Sequence, residues 1–281
     1  MRVLVTGAGG QLGRELVRVF DTDGHDLVAA SHDALDVTDR DAVLDVVTGF
    51  RPDAVVHAAA WTAVDACEDD PDRAFRVNAL GTRHVAEAAG RAGAHLCAIS
   101  TDYVFDGEKP EPYVEWDPPN PRSAYGRSKL AGELEVPPGA TIVRTSWVCG
   151  HHGANMVKTV LRLAGERDEL TFVDDQRGHP SFADDLALMV WRLVVERRPG
   201  VFHVTNQGAV SWYGFARAVM EAAGHDPDRV APIATADLSP PRPAPRPANS
   251  VLDNAALRLS GLPLLADFRE PLARLVAALT A

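Results

Sequence analysis

Arg2-Val3-Leu4-Val5-Thr6-Gly7-Ala8-Gly9-Gly10-Gln11-Leu12-Gly13 decides the fold. A short β-branched run ends at a glycine, a glycine-rich turn follows, and a helical pattern runs on through Phe20. Strand, glycine turn, helix is the setting in which such a motif carries meaning. Gly7, Gly10 and Gly13 recur at a three-residue spacing. Glycine permits the tight turn and lets a pyrophosphate approach the backbone, while the helix start behind it offers unpaired amides and a positive dipole end. The stretch predicts the first βα unit of a Rossmann-type, doubly wound parallel sheet, an α/β fold, with Gly7, Gly10, Gln11, Leu12 and Gly13 at a dinucleotide.

Working outward, Asp26 to Ala30 reads as the second strand, followed by Ser31-His32-Asp33. An acidic residue at this strand end usually takes the adenosine ribose hydroxyls and favours NAD. Ser31 and His32 do not repel a 2′-phosphate, so NADPH is the expected cofactor, with NADH the alternative through Asp33. Asp36-Val37 is expected to begin a helix, with Thr38 as its cap, and to flank the adenine. Asp53 to His57 is a buried strand followed by Ala58-Ala59-Ala60, small enough for the backbone to lie against a dinucleotide; Thr62 stands in the next loop. His57 reads as a strand-end or core histidine. A long helix is expected over Pro71 to Gly90, with Glu68-Asp69-Asp70 a solvated helix start.

Leu96 to Ser100 reads as a central strand, continued by Thr101-Asp102-Tyr103. Ligands of open α/β sheets sit at the carboxyl ends of strands, so Thr101 lies where a hydroxyl can donate to a carbonyl oxygen gaining charge. Tyr125 and Lys129, four residues apart, share one helix face. A nearby ammonium favours the phenolate, so the pair is expected to hold a phenol of lowered pKa that gives and takes a proton at neutral pH. Thr141 to Val148 is a further strand, and Asn155–Gly165, Phe182–Glu196, Trp212–Ala223 and Ala266–Leu279 read as helices. Ser239 to Pro247 is dense in proline and extended. It reads as a ligand for a proline-binding module, as a plain linker, or as a substrate loop with Arg246 facing a phosphate.

The whole chain bounds the reading. Its 281 residues carry a formal net charge of −11, which argues against nucleic-acid or anionic-membrane partners. Three scattered cysteines fit a reducing compartment better than a disulfide framework. No apolar run approaches the ~18 residues of a membrane span. The chain enters a strand at once, which sets the expectation of a cytoplasmic protein without a signal peptide. His151-His152 reads as a surface loop; no metal site is expected.

Thr6-Gly7-x-x-Gly10-Gln11-Leu12-Gly13, Ser100-Thr101-Asp102-Tyr103-Val104-Phe105-Asp106-Gly107, Tyr125-Gly126-x-Ser128-Lys129-Leu130-Ala131-Gly132-Glu133, Arg144-Thr145-Ser146-Trp147-Val148, Asp175-Gln176 and Arg246-Pro247-x-Asn249-Ser250 occur in this order. Together they resemble the extended short-chain dehydrogenase/reductase superfamily and, within it, the dTDP-4-dehydrorhamnose reductase family. The resemblance covers nearly the whole chain. It implies hydride transfer from NADPH to C4 of a dTDP-linked 4-keto-6-deoxy sugar. Tyr125 would protonate the oxyanion, Lys129 would hold the nicotinamide ribose, and Thr101 would polarise the ketone. Asp102, Tyr103 and Trp147 would line the sugar pocket, and Arg246 and Asn249 would meet the nucleotide. It further implies a dinucleotide domain over 1–148 plus roughly 178–205, and a sugar-nucleotide domain over roughly 149–177 and 206–281. Some members dimerise through magnesium held by glutamates; Glu15 matches one such position without a full set, leaving a monomer or a homodimer.

Two departures bear on the substrate. Trp61 stands where the family more often has histidine or a smaller aromatic, and Cys149 replaces a common tyrosine. Both touch pocket shape and keep open a related deoxysugar, such as the precursor of dihydrostreptose. Nucleotide-sugar dehydratases and epimerases resemble the chain too, but carry Asp-Glu after the threonine where Tyr103 is the second residue here. A non-catalytic NADP-binding regulatory subunit is the third alternative.

Overall fold

The computed structural model describes all 281 residues. Six parallel strands form the central sheet: β1 (Arg2–Thr6), β2 (Asp26–Ala30), β3 (Ala54–His57), β4 (His95–Thr101), β5 (Thr141–Thr145) and β6 (Gly200–His203), in the order β6-β5-β4-β3-β1-β2. Strand residues alternate between two cores. Val3, Val5, Ala54, Val56 and Val143 face the side covered by helices Gln11–Thr22 and Ala183–Val195. Leu4, Val55 and Leu96 face the side of helices Arg40–Phe50 and Gly81–Ala92. Burial on both faces is why these strands read as unbroken apolar runs.

The chain leaves β1 for β2 on one side and returns to β3 on the other, so the carboxyl ends of β1 and β3 flank the switch point where open α/β sheets bind ligands. The glycine turn is forced there. Gly7 has φ +69°, and a Cβ on it would come within 2.5 Å of the Ala59 amide nitrogen; one on Gly13 would stand 2.1 Å from the Gly7 carbonyl oxygen.

A separate core lies under the later segments. Val157, Val160, Leu170, Phe215, Met220, Phe268, Leu272 and Val276 pack together from helices Met156–Glu166, Trp212–Ala222 and Arg269–Thr280 and the parallel pair Leu170–Val173 with Val230–Ile233. The short helix Ala255–Leu259 returns to the main sheet, where Ala256 and Leu257 join the first core.

Several expectations are corrected. The helix after β2 starts at Arg40, capped by Asp39, whose carboxylate accepts the Asp41 and Ala42 amides; Asp36 instead closes a turn on the Thr38 amide. The expected long helix begins as α-helix (Pro71–Phe75), widens into a π turn (Arg76–Leu80) and resumes at Gly81. The Thr141–Val148 strand breaks after Thr145, because Trp147 takes a left-handed backbone (φ 48°). The last helix starts at Arg269, not Ala266. Glu68-Asp69-Asp70 is not a plain solvated helix start: Glu68 and Asp69 close a short helix, Val64–Asp69, and Asp70 caps the next one.

Candidate active site

The helix Ala124–Leu134 carries Tyr125 and Lys129, and Ser123 caps it by accepting the Gly126 amide at 3.0 Å. A second acceptor comes from far away: Glu68 Oε1 takes the Ala124 amide at 2.6 Å. The π turn supplies a third support. Asn78 donates to Ser128 Oγ at 2.9 Å and to the Trp61 carbonyl at 3.1 Å, and accepts the Trp61 amide at 2.8 Å. Glu133, near the helix end, forms a buried bidentate pair with Arg144 of β5 at 2.9 and 2.7 Å. The helix that presents the Tyr–Lys pair is therefore pinned at both ends.

Thr101 ends β4 and is buried. Its hydroxyl donates to Asp102 Oδ1 at 2.9 Å, accepts the Tyr103 amide at 3.2 Å, and lies against the Tyr125 phenol. Burial pushes the Asp102 carboxyl up to about 6, opposed by the Ser250 and Thr101 hydroxyls, and its Oδ2 has no partner. The Tyr103 ring meets the Tyr125 ring edge-on at 5.5 Å. Thr101, Tyr125 and the Asp102–Tyr103 turn thus converge.

The expectation of an acidified phenol is not met. Tyr125 packs in a closed cluster with Cys67, Ala74 and Ala124, and burial pushes its phenol above its ordinary value; the Thr101 hydroxyl works against that rise and the Asp102 charge with it. Lys129 is buried as well, which pushes its ammonium down to about 8, and its Nζ donates to the Ile99 carbonyl at 2.7 Å. Its charge is felt by His57, which burial holds neutral, down at about 3. His57 is a core residue: its ring nitrogens lie 2.7 Å from the Thr6 hydroxyl and 3.1 Å from that of Thr82.

At the switch point Gly9 and Gly10 are exposed, and Gly10 caps the first helix without a side-chain bond. Bare backbone amides at a helix start, with no side chain filling the turn, fit the pyrophosphate of a dinucleotide. Ser31 is half-buried and His32 and Asp36 exposed at the end of β2, while Val37 is buried against the Gly81 turn. Ala58, Ala59 and Ala60 are half-buried beside the turn, with Thr62 exposed beyond them. Leu12 belongs to the core, and the Gln11 amide is tied to the Ala154 carbonyl and Asn155.

A pocket near Tyr103 is built from later residues. Tyr103, Trp147, Gln176, Trp212, Arg246, Pro247 and Ser250 line one narrow pocket, with a cavity volume of about 10 Å³. Trp147 and Trp212 stack at 3.5 Å, nearly parallel. Arg246 lines this space while bound to Asp65, Nη2 to Oδ2 at 2.8 Å. Asn249 does not line it: its amide donates to the Lys109 and Glu111 carbonyls. Trp212, Glu68, Asp65 and Asn78 are not legible as site residues in the sequence; the Trp-Tyr pair after Ser211 signals only a helix start.

No group of three or more His, Cys, Asp or Glu side chains is placed to hold a metal. Glu15 carries Arg18 at 2.7 Å, with His152 3.9 Å from its other oxygen. The three cysteines are free and buried. No helix is long and apolar enough to cross a membrane.

A parallel Rossmann sheet with a glycine turn at its switch point and a Tyr-x-x-x-Lys helix beside a strand-end threonine defines an extended short-chain dehydrogenase/reductase. The family model described as the RmlD substrate binding domain matches residues 1–281, and the chain belongs to that family. It is 43% identical to the dTDP-4-dehydrorhamnose reductase of Streptomyces griseus, over 96% of this chain and 91% of the relative. It is also 43% identical to a protein of Streptomyces antibioticus described as a probable dTDP-4,6-dihydroxy-2-methyloxan-3-one 4-ketoreductase, over 97% and 93%. The solved dTDP-4-dehydrorhamnose reductase of Bacillus anthracis, in complex with NADP, superposes with a TM-score of 0.94 at 39% identity, covering 99% of both chains.

Proposed function

We propose that this protein is an NADPH-dependent reductase of the C4 ketone of a dTDP-4-keto-6-deoxy-L-sugar, with dTDP-4-dehydro-L-rhamnose converted to dTDP-L-rhamnose as the first reading. The observation that carries it is the Thr101 hydroxyl against the Tyr125 phenol at the end of β4, with Lys129 one helical turn on, in a member of this family. A bound reduced nicotinamide supplies the hydride. Gly7, Gly10 and Gly13, with the amides behind them, receive the pyrophosphate; Ser31 and His32 accept the 2′-phosphate end. Asp36 and Val37 flank the adenine, Ala58, Ala59, Ala60 and Thr62 border the cofactor, and Lys129 holds the nicotinamide ribose.

The raised pKa of Tyr125 suits reduction. A phenol that keeps its proton at neutral pH is fully in the acid form, and a developing alkoxide is basic enough to take that proton. Thr101 donates to the same oxygen by turning its proton away from Asp102. Tyr103, Trp147 and Trp212 shape the sugar end, and Arg246 meets the diphosphate. Asn249 acts by holding the strap that carries Arg246. The division into a dinucleotide part (1–148 and roughly 178–205) and a sugar-nucleotide part (roughly 149–177 and 206–281) follows this split. A cytoplasmic location, and a monomer or a homodimer, complete the reading.

The test is NADPH consumption with dTDP-4-dehydro-L-rhamnose and identification of the product by NMR. Stoichiometric NADPH oxidation and the L-rhamno product are expected, with NADPH preferred over NADH. A redox-neutral conversion with retained cofactor would instead mark an epimerase or dehydratase. A second substrate reading stands on Trp61. Its ring lies under the Arg73 guanidinium at 4.5 Å and packs on the Tyr125 cluster, so it narrows the site where the family carries smaller groups. A neighbouring 4-keto deoxysugar reduced faster than the rhamnose precursor would favour it.

A further inference from the structure

The Val64–Asp69 helix has no part in the chemistry above, yet it touches both ends of the site. Asp65 faces the proline-rich strap. Its two carboxylate oxygens take Arg246 Nη1 at 2.5 Å and Nη2 at 2.8 Å, and Oδ1 also accepts the Ala244 amide at 3.1 Å. Arg242 Nη1 stands 3.7 Å from Oδ2. One turn on, Glu68 Oε1 holds the Ala124 amide at 2.6 Å, directly before Tyr125, and Oε2 lies 4.0 Å from Arg127. Between them Cys67 is fully buried in the cluster that holds Ala124 and Tyr125.

A six-residue helix is too short to be stable alone, and this one has no side-chain cap of its own. Its position is set by what it holds. The strap is gripped at one end and the first turn of the catalytic helix at the other, so displacing either moves the same small rigid piece.

We propose that the Val64–Asp69 helix couples the substrate strap to the catalytic helix, with Asp65 and Glu68 as positioning residues. The inference rests on the reading of the pocket as a sugar-nucleotide site. Arg246 lines that pocket, and a diphosphate offers the guanidinium the same bidentate geometry as Asp65 with more charge. A diphosphate that draws on Arg246 changes the load on Asp65, and the load reaches Tyr125 through Glu68. Coupling between two sites is reciprocal, so a change at Glu68 alters affinity at the strap.

The test measures dTDP binding by calorimetry and kcat with the ketosugar in Asp65→Asn, Glu68→Ala, Glu68→Gln and the Asp65→Asn/Glu68→Ala double variant, with NADPH affinity as the check on folding. Glu68→Ala is expected to lower kcat about tenfold and weaken dTDP about threefold, although Glu68 touches no part of the strap. Asp65→Asn should lower kcat although it touches neither Tyr125 nor the ketone. The double variant should lose less kcat than the product of the single losses. Glu68→Gln keeps an acceptor for the Ala124 amide and should retain more than half of wild-type kcat. The coupling is overturned by unchanged dTDP affinity in Glu68→Ala, by multiplicative kcat losses, or by Glu68→Gln as damaged as Glu68→Ala. If Glu68→Ala loses NADPH affinity and does not fold, Glu68→Met, which also lacks the acceptor but keeps the volume, replaces it in the single and double variants, and the same outcomes decide. A wild-type protein that binds dTDP but reduces no ketosugar would fail the functional reading; the dTDP affinities of the variants would still decide the coupling.

Discussion

The two ends of the proposed site are made of different material. The cofactor end is mostly backbone: exposed glycines, a helix start, and alanines at the end of β3, all fixed by the sheet. The substrate end is mostly side chain: stacked Trp147 and Trp212, Arg246 held by Asp65, and Asn249 holding the 109–111 carbonyls. Backbone geometry suits the invariant part of a ligand, a pyrophosphate. Side chains brought from distant segments can change one at a time and suit the variable part, the sugar.

The strongest way to break this contrast is at the glycine turn. Gly13→Ala places a Cβ 2.1 Å from the Gly7 carbonyl oxygen, a backbone atom that no rotamer change can move aside. NADPH affinity should fall by at least about a hundredfold with dTDP affinity close to wild type; equal loss of both would show that the ends are not separately built. Next in size is Glu133→Ala, which leaves Arg144 buried and unpaired. It should cost about 3–5 kcal/mol of unfolding free energy in a denaturant titration, and a loss under about 1 kcal/mol would show that the catalytic helix is not pinned through β5.

Trp212→Ala probes the other end. It removes the indole stacked on Trp147, and KM for the ketosugar should rise about fivefold with NADPH affinity unchanged; an unchanged KM would take Trp212 out of the pocket. The smallest expected effect is the pH limb of Lys129. Burial pushes its ammonium down to about 8, so kcat/KM should decline as pH rises through about 8 and the charge is lost, and stay level just below. A profile flat to pH 10 would mean that the charge is dispensable.

What could be read in advance follows the same division. The glycine turn, Thr101 and the Tyr125–Lys129 spacing are local patterns, and local patterns survive in a linear sequence. Asp65, Glu68 and Asn78 act on partners 181, 56 and 50 residues away, and no periodicity in the chain announces such pairings. The phenol's pKa is hidden from the sequence for a related reason. Spacing places a lysine one turn from a tyrosine, but the depth of their burial, and the Ile99 carbonyl that takes the ammonium, come from packing.

Tyr125→Phe removes one hydroxyl and leaves the ring in its cluster. Single-turnover reduction of dTDP-4-dehydro-L-rhamnose by the NADPH-loaded variant should fall at least about a thousandfold, with the NADPH dissociation constant within about twofold of wild type. Turnover near the wild-type rate would show that another group delivers the proton and would contradict the assignment.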